Sequence, residues 1–159
     1  MSLFLLSSKV KFAAPVSGDV APLTEDLLTQ LGLYQEAEGF AIKPQTADVY
    51  SPVKGKVTSL FPTKHAIGLQ AGELKILIFM GIDTAKLNGL PFEINVEVGD
   101  DVTPQTKLAT MDLNQISEAE KDTTTTVLIF NSASAVDEFK LSTTGQVKQG
   151  TTVAKAVEH

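Results

Sequence analysis

"APVSGDV" (14–20) and "SPVKGKV" (51–57) share one pattern, a small residue followed by Pro-Val-x-Gly-x-Val. The glycine supplies the backbone freedom of a tight hairpin, and the valines supply strand residues on either side. A second pair repeats the relation further along. "VEVGDDVTPQTKLA" (96–109) and "LSTTGQVKQGTTVA" (141–154) each set a glycine turn against a valine-bearing strand. One such segment alone is ordinary hairpin chemistry. Two echoes in the same chain order point to duplicated hairpin units that form a sandwich or a barrel.

The remaining segments fit a mainly antiparallel, all-β chain. Strands are expected at 9–12, 48–53, 55–61, 66–70, 74–80, 94–98, 107–112 and 125–131, where short apolar runs are bounded by turn residues. "LKILIFM" (74–80) is almost continuously apolar and is expected to be buried on both faces. Alternation places Lys75, Leu77 and Phe79 on one side, and Ile76, Ile78 and Met80 on the other. Between one and three short helices complete the reading. "TEDLLTQLG" (24–32) has Thr24 as N-cap and Gly32 as a stop, "DLNQISEAEK" (112–121) is a second, and a short turn is expected within 132–140.

At 159 residues, 43% hydrophobic and 20% charged, the chain reads as one soluble domain over 1–159, with loose ends at 1–8 and 156–159. Eight Phe, two Tyr and no Trp leave the interior to aliphatic side chains. The net charge of −6 excludes a nucleic-acid binder, because no basic stripe exists to neutralise phosphates. The absence of cysteine removes disulfides, thiol catalysis and thiolate metal sites. "MSLFLLSSKVKF" (1–12) has no basic residue ahead of its apolar run, so no secretory signal is expected. No segment approaches the roughly twenty apolar residues of a membrane span, so direct membrane insertion is not expected.

"PTKHAIGL" (62–69) holds the interior histidine, His65; the other, His159, is the final residue. A zinc peptidase on a similar barrel needs several histidines, and a metal held by His65 and carboxylates alone is not expected. No lysine stands in the Met-Lys-Met or Asp-Lys-Ala setting of biotin and lipoate carriers, and no glycine-rich phosphate loop is present. No cofactor is therefore expected.

"GFAIKP" (39–44), "SPVKGKV" (51–57), "LFPTKHAIGL" (60–69), "ILIFMGIDT" (76–84) and "TMDL" (110–113) occur in that order. With this set the sequence resembles the glucose-type IIA domain of the bacterial phosphoenolpyruvate-dependent sugar phosphotransferase system, from "KFAAPVSGDV" to the C-terminus. The resemblance implies a cytoplasmic β-sandwich or barrel, held at the inner face of the membrane when joined to a permease. It implies transfer of a phosphoryl group from the carrier HPr onto a histidine, and from there to the IIB domain of a sugar permease. It assigns His65 as the supporting histidine, Thr63 as its hydrogen-bond partner, and Phe79 to the position of the acceptor. Phe61, Glu38 and Asp83 match apolar or acidic positions around the docking face, and Lys86 stands where an acidic rim residue is expected.

The residue at 79 decides the chemistry. Phosphoryl transfer between imidazoles depends on positioning and on a nitrogen lone pair, which neutral imidazole supplies at pH 7. A phenyl ring supplies none. The leading expectation is a IIA-like module that has lost the family route and serves as a binding, regulatory or degenerate domain. One alternative is an active phosphocarrier with His65 as acceptor; another is a binding module unrelated to sugar transport. Whether the chain is an enzyme turns on that choice.

Overall fold

The two copies of the Pro-Val-x-Gly-x-Val pattern lie against each other. In the computed structural model, which describes residues 8–159, the Tyr50 amide donates to the Pro15 carbonyl (2.8 Å) and the Ala13 amide to the Pro52 carbonyl (2.7 Å). Ala13 and Tyr50 are equivalent positions in the two copies, as are Pro15 and Pro52, so the bonds are reciprocal. That is the signature of a local two-fold relation between the halves.

In chain order the strands are β1 (Lys9–Ala13), β2 (Gly18–Pro22), β3 (Glu38–Pro44), β4 (Asp48–Tyr50), β5 (Gly55–Leu60), β6 (Ala66–Ala71) and β7 (Leu74–Ile82). They continue as β8 (Phe92–Ile94), β9 (Asp101–Val102), β10 (Lys107–Met111), β11 (Asp122–Ile129), β12 (Val136–Leu141), β13 (Gly145–Val147) and β14 (Thr152–Glu158). Short helices α1 (Glu25–Gln30), α2 (Leu113–Glu118) and α3 (Ser132–Ala135), with a 3-10 turn at Thr84–Leu87, complete the fold.

The second echo is present as duplicated register. β9 pairs with β5 through Val102–Gly55 and Asp101–Lys56, as β13 pairs with β2 through Val147–Gly18 and Gln146–Asp19. β10 joins β4 at Lys107–Tyr50 and Ala109–Val49, as β14 joins β1 at Thr152–Ala13 and Ala154–Phe12. A register shift falls at the same step in both ladders.

The strands form an eight-stranded sheet, β9-β5-β6-β7-β11-β3-β2-β13, and two three-stranded sheets, β4-β10-β8 and β12-β14-β1. All pairs are antiparallel, and the architecture is an open sandwich rather than a closed barrel. Its main core joins Phe40, Ile42, Ile76, Ile78 and Met80 of the large sheet to Phe12, Val49, Leu108 and Val153 of the small ones. A smaller cluster lies on the outer face of the large sheet, where Leu28 of α1 covers Ala66, Phe79 and Leu128. β7 is therefore apolar on both sides, as its sequence predicts, with Lys75 as the exposed exception.

Local signals explain α1: the Thr24 hydroxyl accepts from the Leu27 amide (3.1 Å), and Gly32 follows the helix at φ 80°. Other expectations are corrected. Strand 48–53 stops at Tyr50, where the Ser51 hydroxyl donates to the Val53 carbonyl (2.6 Å). Of the segment 94–98 only Ile94 is strand, with the Asn95 amide still donating to the Leu108 carbonyl (2.8 Å), because Glu97 and Asp100 close a turn (Glu97 amide to Asp100 Oδ2, 2.9 Å). Helix 112–121 ends at Glu118, and within 132–140 only Ser132–Ala135 is helical before β12 begins. The expected loose end at 156–159 is instead the last stretch of β14, with Ala156 and Glu158 buried. The expected loose start at 1–8 lies, apart from Ser8, outside the described residues.

Gly18 and Gly55 occupy the same place in the two halves but do not turn the hairpins expected of them: each opens a strand that does not pair with the one before it. A Cβ on either would run into a neighbouring-strand carbonyl oxygen, that of Lys43 or Gln70. Overpacking of this kind costs about 1–3 kcal/mol. Gly18→Ala and Gly55→Ala are each expected to lower the unfolding free energy by about that amount. Urea denaturation measures it, and a midpoint unchanged in both variants would contradict the close approach.

Candidate functional site

His65 reaches its place through a turn rather than a strand. The Lys64 amide donates to the Phe61 carbonyl (2.8 Å), Lys64 takes φ 60°, and the Met80 amide donates to the His65 carbonyl (2.7 Å). β6 then begins at Ala66, which pairs with Phe79. The imidazole centroid lies 6.2 Å from that of Phe79, at 44° between planes, and 5.5 Å from Phe61, nearly edge-on at 78°. Thr63 Oγ1 hydrogen-bonds His65 Nδ1. A lone pair on Nε2 exists only in the tautomer whose Nδ1–H donates to that hydroxyl. Partial burial lowers the His65 pKa from its ordinary 6.5, so the ring is neutral at pH 7.

Phe79 is 8% exposed and packs with Leu28, Ala66 and Leu128. Across the strand pair stands Thr126, fully buried, whose Oγ1 has no hydrogen-bond partner. An apolar groove of 590 Å³ runs along this face between Leu31, Leu33, Phe61, Leu77 and Phe130, with His65 and Phe79 in its lining and Lys75 among the polar groups.

Thr63, His65, Phe79 and Phe61 thus come together. Asp83 and Lys86 pair with each other: Lys86 Nζ lies 3.1 Å from Asp83 Oδ2, and Lys121 Nζ lies 2.9 Å from the same oxygen. These hydrogen bonds, Lys121 foremost and then Lys86, hold the exposed Asp83 carboxyl below its ordinary pKa. Asp83 opens the 3-10 turn at φ 62° without capping it. Glu38 is placed elsewhere. It pairs with Ile129, which pairs in turn with Ile76, and it lines a separate 750 Å³ groove with Glu25, Glu36, Asp137 and Glu138. Sequence reasoning missed Thr126, Lys121 and Phe130, because only strand register and the end of β11 bring them here.

The model of the phosphoenolpyruvate-dependent sugar phosphotransferase system, EIIA 1, matches residues 10–135. The chain belongs to this family. It is 40% identical over 138 residues to the glucoside-specific EIICBA component of the phosphotransferase system of Staphylococcus carnosus (strain TM300), covering 86% of this chain and 20% of that protein. It is 36% identical over 128 residues to the glucose-specific EIIA component of Staphylococcus epidermidis (strain ATCC 12228), covering 80% and 77%. Glucose permease IIA from Mycoplasma capricolum has the same fold, with a TM-score of 0.82 and 30% identity over 96% of this chain and 99% of that one. The chain spans between 16% and 20% of the length of the EIICBA and EIIBCA relatives. Among the described residues no helix is long and apolar enough to cross a membrane.

Thr126→Val removes an unpartnered buried hydroxyl at nearly constant volume, and is expected to raise the unfolding free energy by about 1 kcal/mol in urea titration. The His65 titration followed by NMR is expected to have a midpoint below 6.5. The folded state disfavours the proton, so this contribution to stability is complete above about pH 6.5 and falls as pH drops toward the folded-state midpoint. A midpoint above 6.5 would reverse that sign.

Proposed function

We propose that this IIA domain cannot take up phosphate by the family's histidine-to-histidine route and acts as a binding or regulatory part of a sugar-uptake system. The observation that carries the reading is the Phe79 ring facing His65 at 6.2 Å. A phosphoryl group arriving there meets a ring without a lone pair, and no change of pKa creates one. The remaining Thr63–His65 pair supports a charge but offers no second nitrogen across from it. The expected partners are HPr and the IIB domain of a sugar permease. Relatives named as EIICBA and EIIBCA components favour the permease. Family membership speaks against a binding module outside sugar transport.

A second reading keeps phosphotransfer with His65 itself as acceptor. Its neutral, half-buried imidazole favours it. Incubation with enzyme I, HPr and labelled phosphoenolpyruvate separates the two. The wild-type chain is expected to carry less than about one-hundredth of the acid-labile label of Phe79→His. Label on a peptide spanning 62–69, abolished by His65→Ala, would establish the second reading and sink the first. Failure of Phe79→His to label would mean that docking has gone as well as the acceptor.

A further inference from the structure

We propose that the outer face of the small sheet β12-β14-β1 is a lysine platform that holds this domain against an anionic lipid bilayer, with the His65 face turned away from the membrane. The choice of a bilayer rests on the permease partner proposed above; the platform itself does not.

The platform is made by register. Lys11 of β1 stands directly opposite Lys155 of β14, and Lys155 directly opposite Lys140 of β12. The three side chains therefore share one side of the sheet, in a row about 10 Å long at the spacing of strands. Lys9 projects from the same side in the next row, which continues through Val157 to Glu138. All four lysines are exposed, and among the described residues none of them lies within ion-pair distance of a carboxylate. Phe12, Ala154 and Ala156 alternate with them into the core, so the lysines point away from the sandwich. His65 and Phe79 occupy the outer face of the large sheet, on the far side of that core. No run of the sequence announces the row, because its lysines come from three separate strands.

The duplicated architecture does not require lysine here. The equivalent row of the other small sheet is Asp48, Thr110 and Glu93, paired in the same order. There Thr110 Oγ1 donates to Asp48 Oδ1 (3.2 Å), and Lys107 Nζ lies 3.8 Å from the same oxygen. One half thus resolves its charges internally, while the other sets like charges directly opposite each other, which is destabilising. Such a local conflict is expected where a surface serves recognition. Glu138 is the carboxylate that shares the two rows with the four lysines, in a chain whose net charge is −6. Carboxylates across the sandwich lie behind two sheet layers, farther than the screening length of about 8 Å at physiological salt, so the platform presents its own sign. Among the described residues the exposed large apolar side chains, Tyr34, Leu90, Val98 and Phe130, belong to other parts of the molecule, so the contact is by charge without insertion. An open row of lysines fits an anionic headgroup layer, and the leaflet around a permease carries such a negative potential.

The test is co-sedimentation of the full chain with vesicles of phosphatidylcholine alone and with vesicles that also contain phosphatidylglycerol, at low salt. The wild-type chain is expected to sediment with the anionic vesicles at least about fivefold more than with the neutral ones, and to be released at high salt. Lys155→Glu sets a carboxylate between two lysines. It is expected to lower binding at least about fivefold while the unfolding midpoint stays at or above that of wild type. Lys43→Glu makes the same change of net charge on the outer face of the large sheet, next to the core residue Ile42. That variant is expected to keep its binding within about twofold of wild type. Equal binding to the two kinds of vesicle, binding to neither, or an equal loss in the two variants overturns the proposal. So does capture of the chain by polyglutamate without binding to anionic vesicles, which would give the platform to an acidic protein instead. The vesicles hold no permease, so failure of the chain to bind a IIB domain would refute the partner reading without changing these results.

Discussion

The cross-strand pairing of Ala66 with Phe79 is the constraint on which the site depends. It sets the imidazole at the end of one strand against the phenyl ring in the middle of the next. A slip of one residue would turn Phe79 into the sandwich and bring Met80 out beneath α1. Hydrophobic pattern specifies this register only weakly, since β7 is apolar on both faces. Turn chemistry supplies what the pattern lacks. The β6–β7 loop is two residues long, with Gly72 at φ 58° in the position that such hairpins reserve for glycine, and Ala71 paired with Leu74 across it.

At the far end the turn through Lys64 takes His65 out of the strand alternation. Its ring then shares a face with Phe79 and Phe61 instead of following the pleat toward Met80. The result is a site that is polar on one side and apolar on the other. Thr63 still engages Nδ1, while the opposite wall is aromatic hydrocarbon and the nearest cross-strand hydroxyl, on Thr126, is buried without a partner. The Phe79 side chain packs into the Leu28–Leu128 cluster, which gives an apolar ring at this position a well-filled seat.

The electrostatics of the face depend on a second local pairing. Asp83 follows Gly81 in a left-handed conformation, which aims its carboxylate back at Lys86 on the next turn and at Lys121 before β11. Exposed ion pairs contribute little stability in water.

By itself the sequence determined that the chain is built from repeated strand units, though not that these strands pair with distant strands rather than as hairpins. It also determined the two-faced burial of β7, the caps of α1, the family, and the identity of every residue in the His65 turn. These are properties of spacing and of local backbone chemistry, and they need no knowledge of partners. Only the tertiary structure decided that the sandwich stays open, that 136–141 is a strand and the last strand runs on to Glu158, and that Glu38 faces another groove while Lys121 and Thr126 join this end of the molecule. Short strands such as Gly145–Val147 take their register from the ladder they complete. The direction in which a charge or hydroxyl points across a sheet is likewise set by register, which is a relation between distant segments and is written in neither one alone.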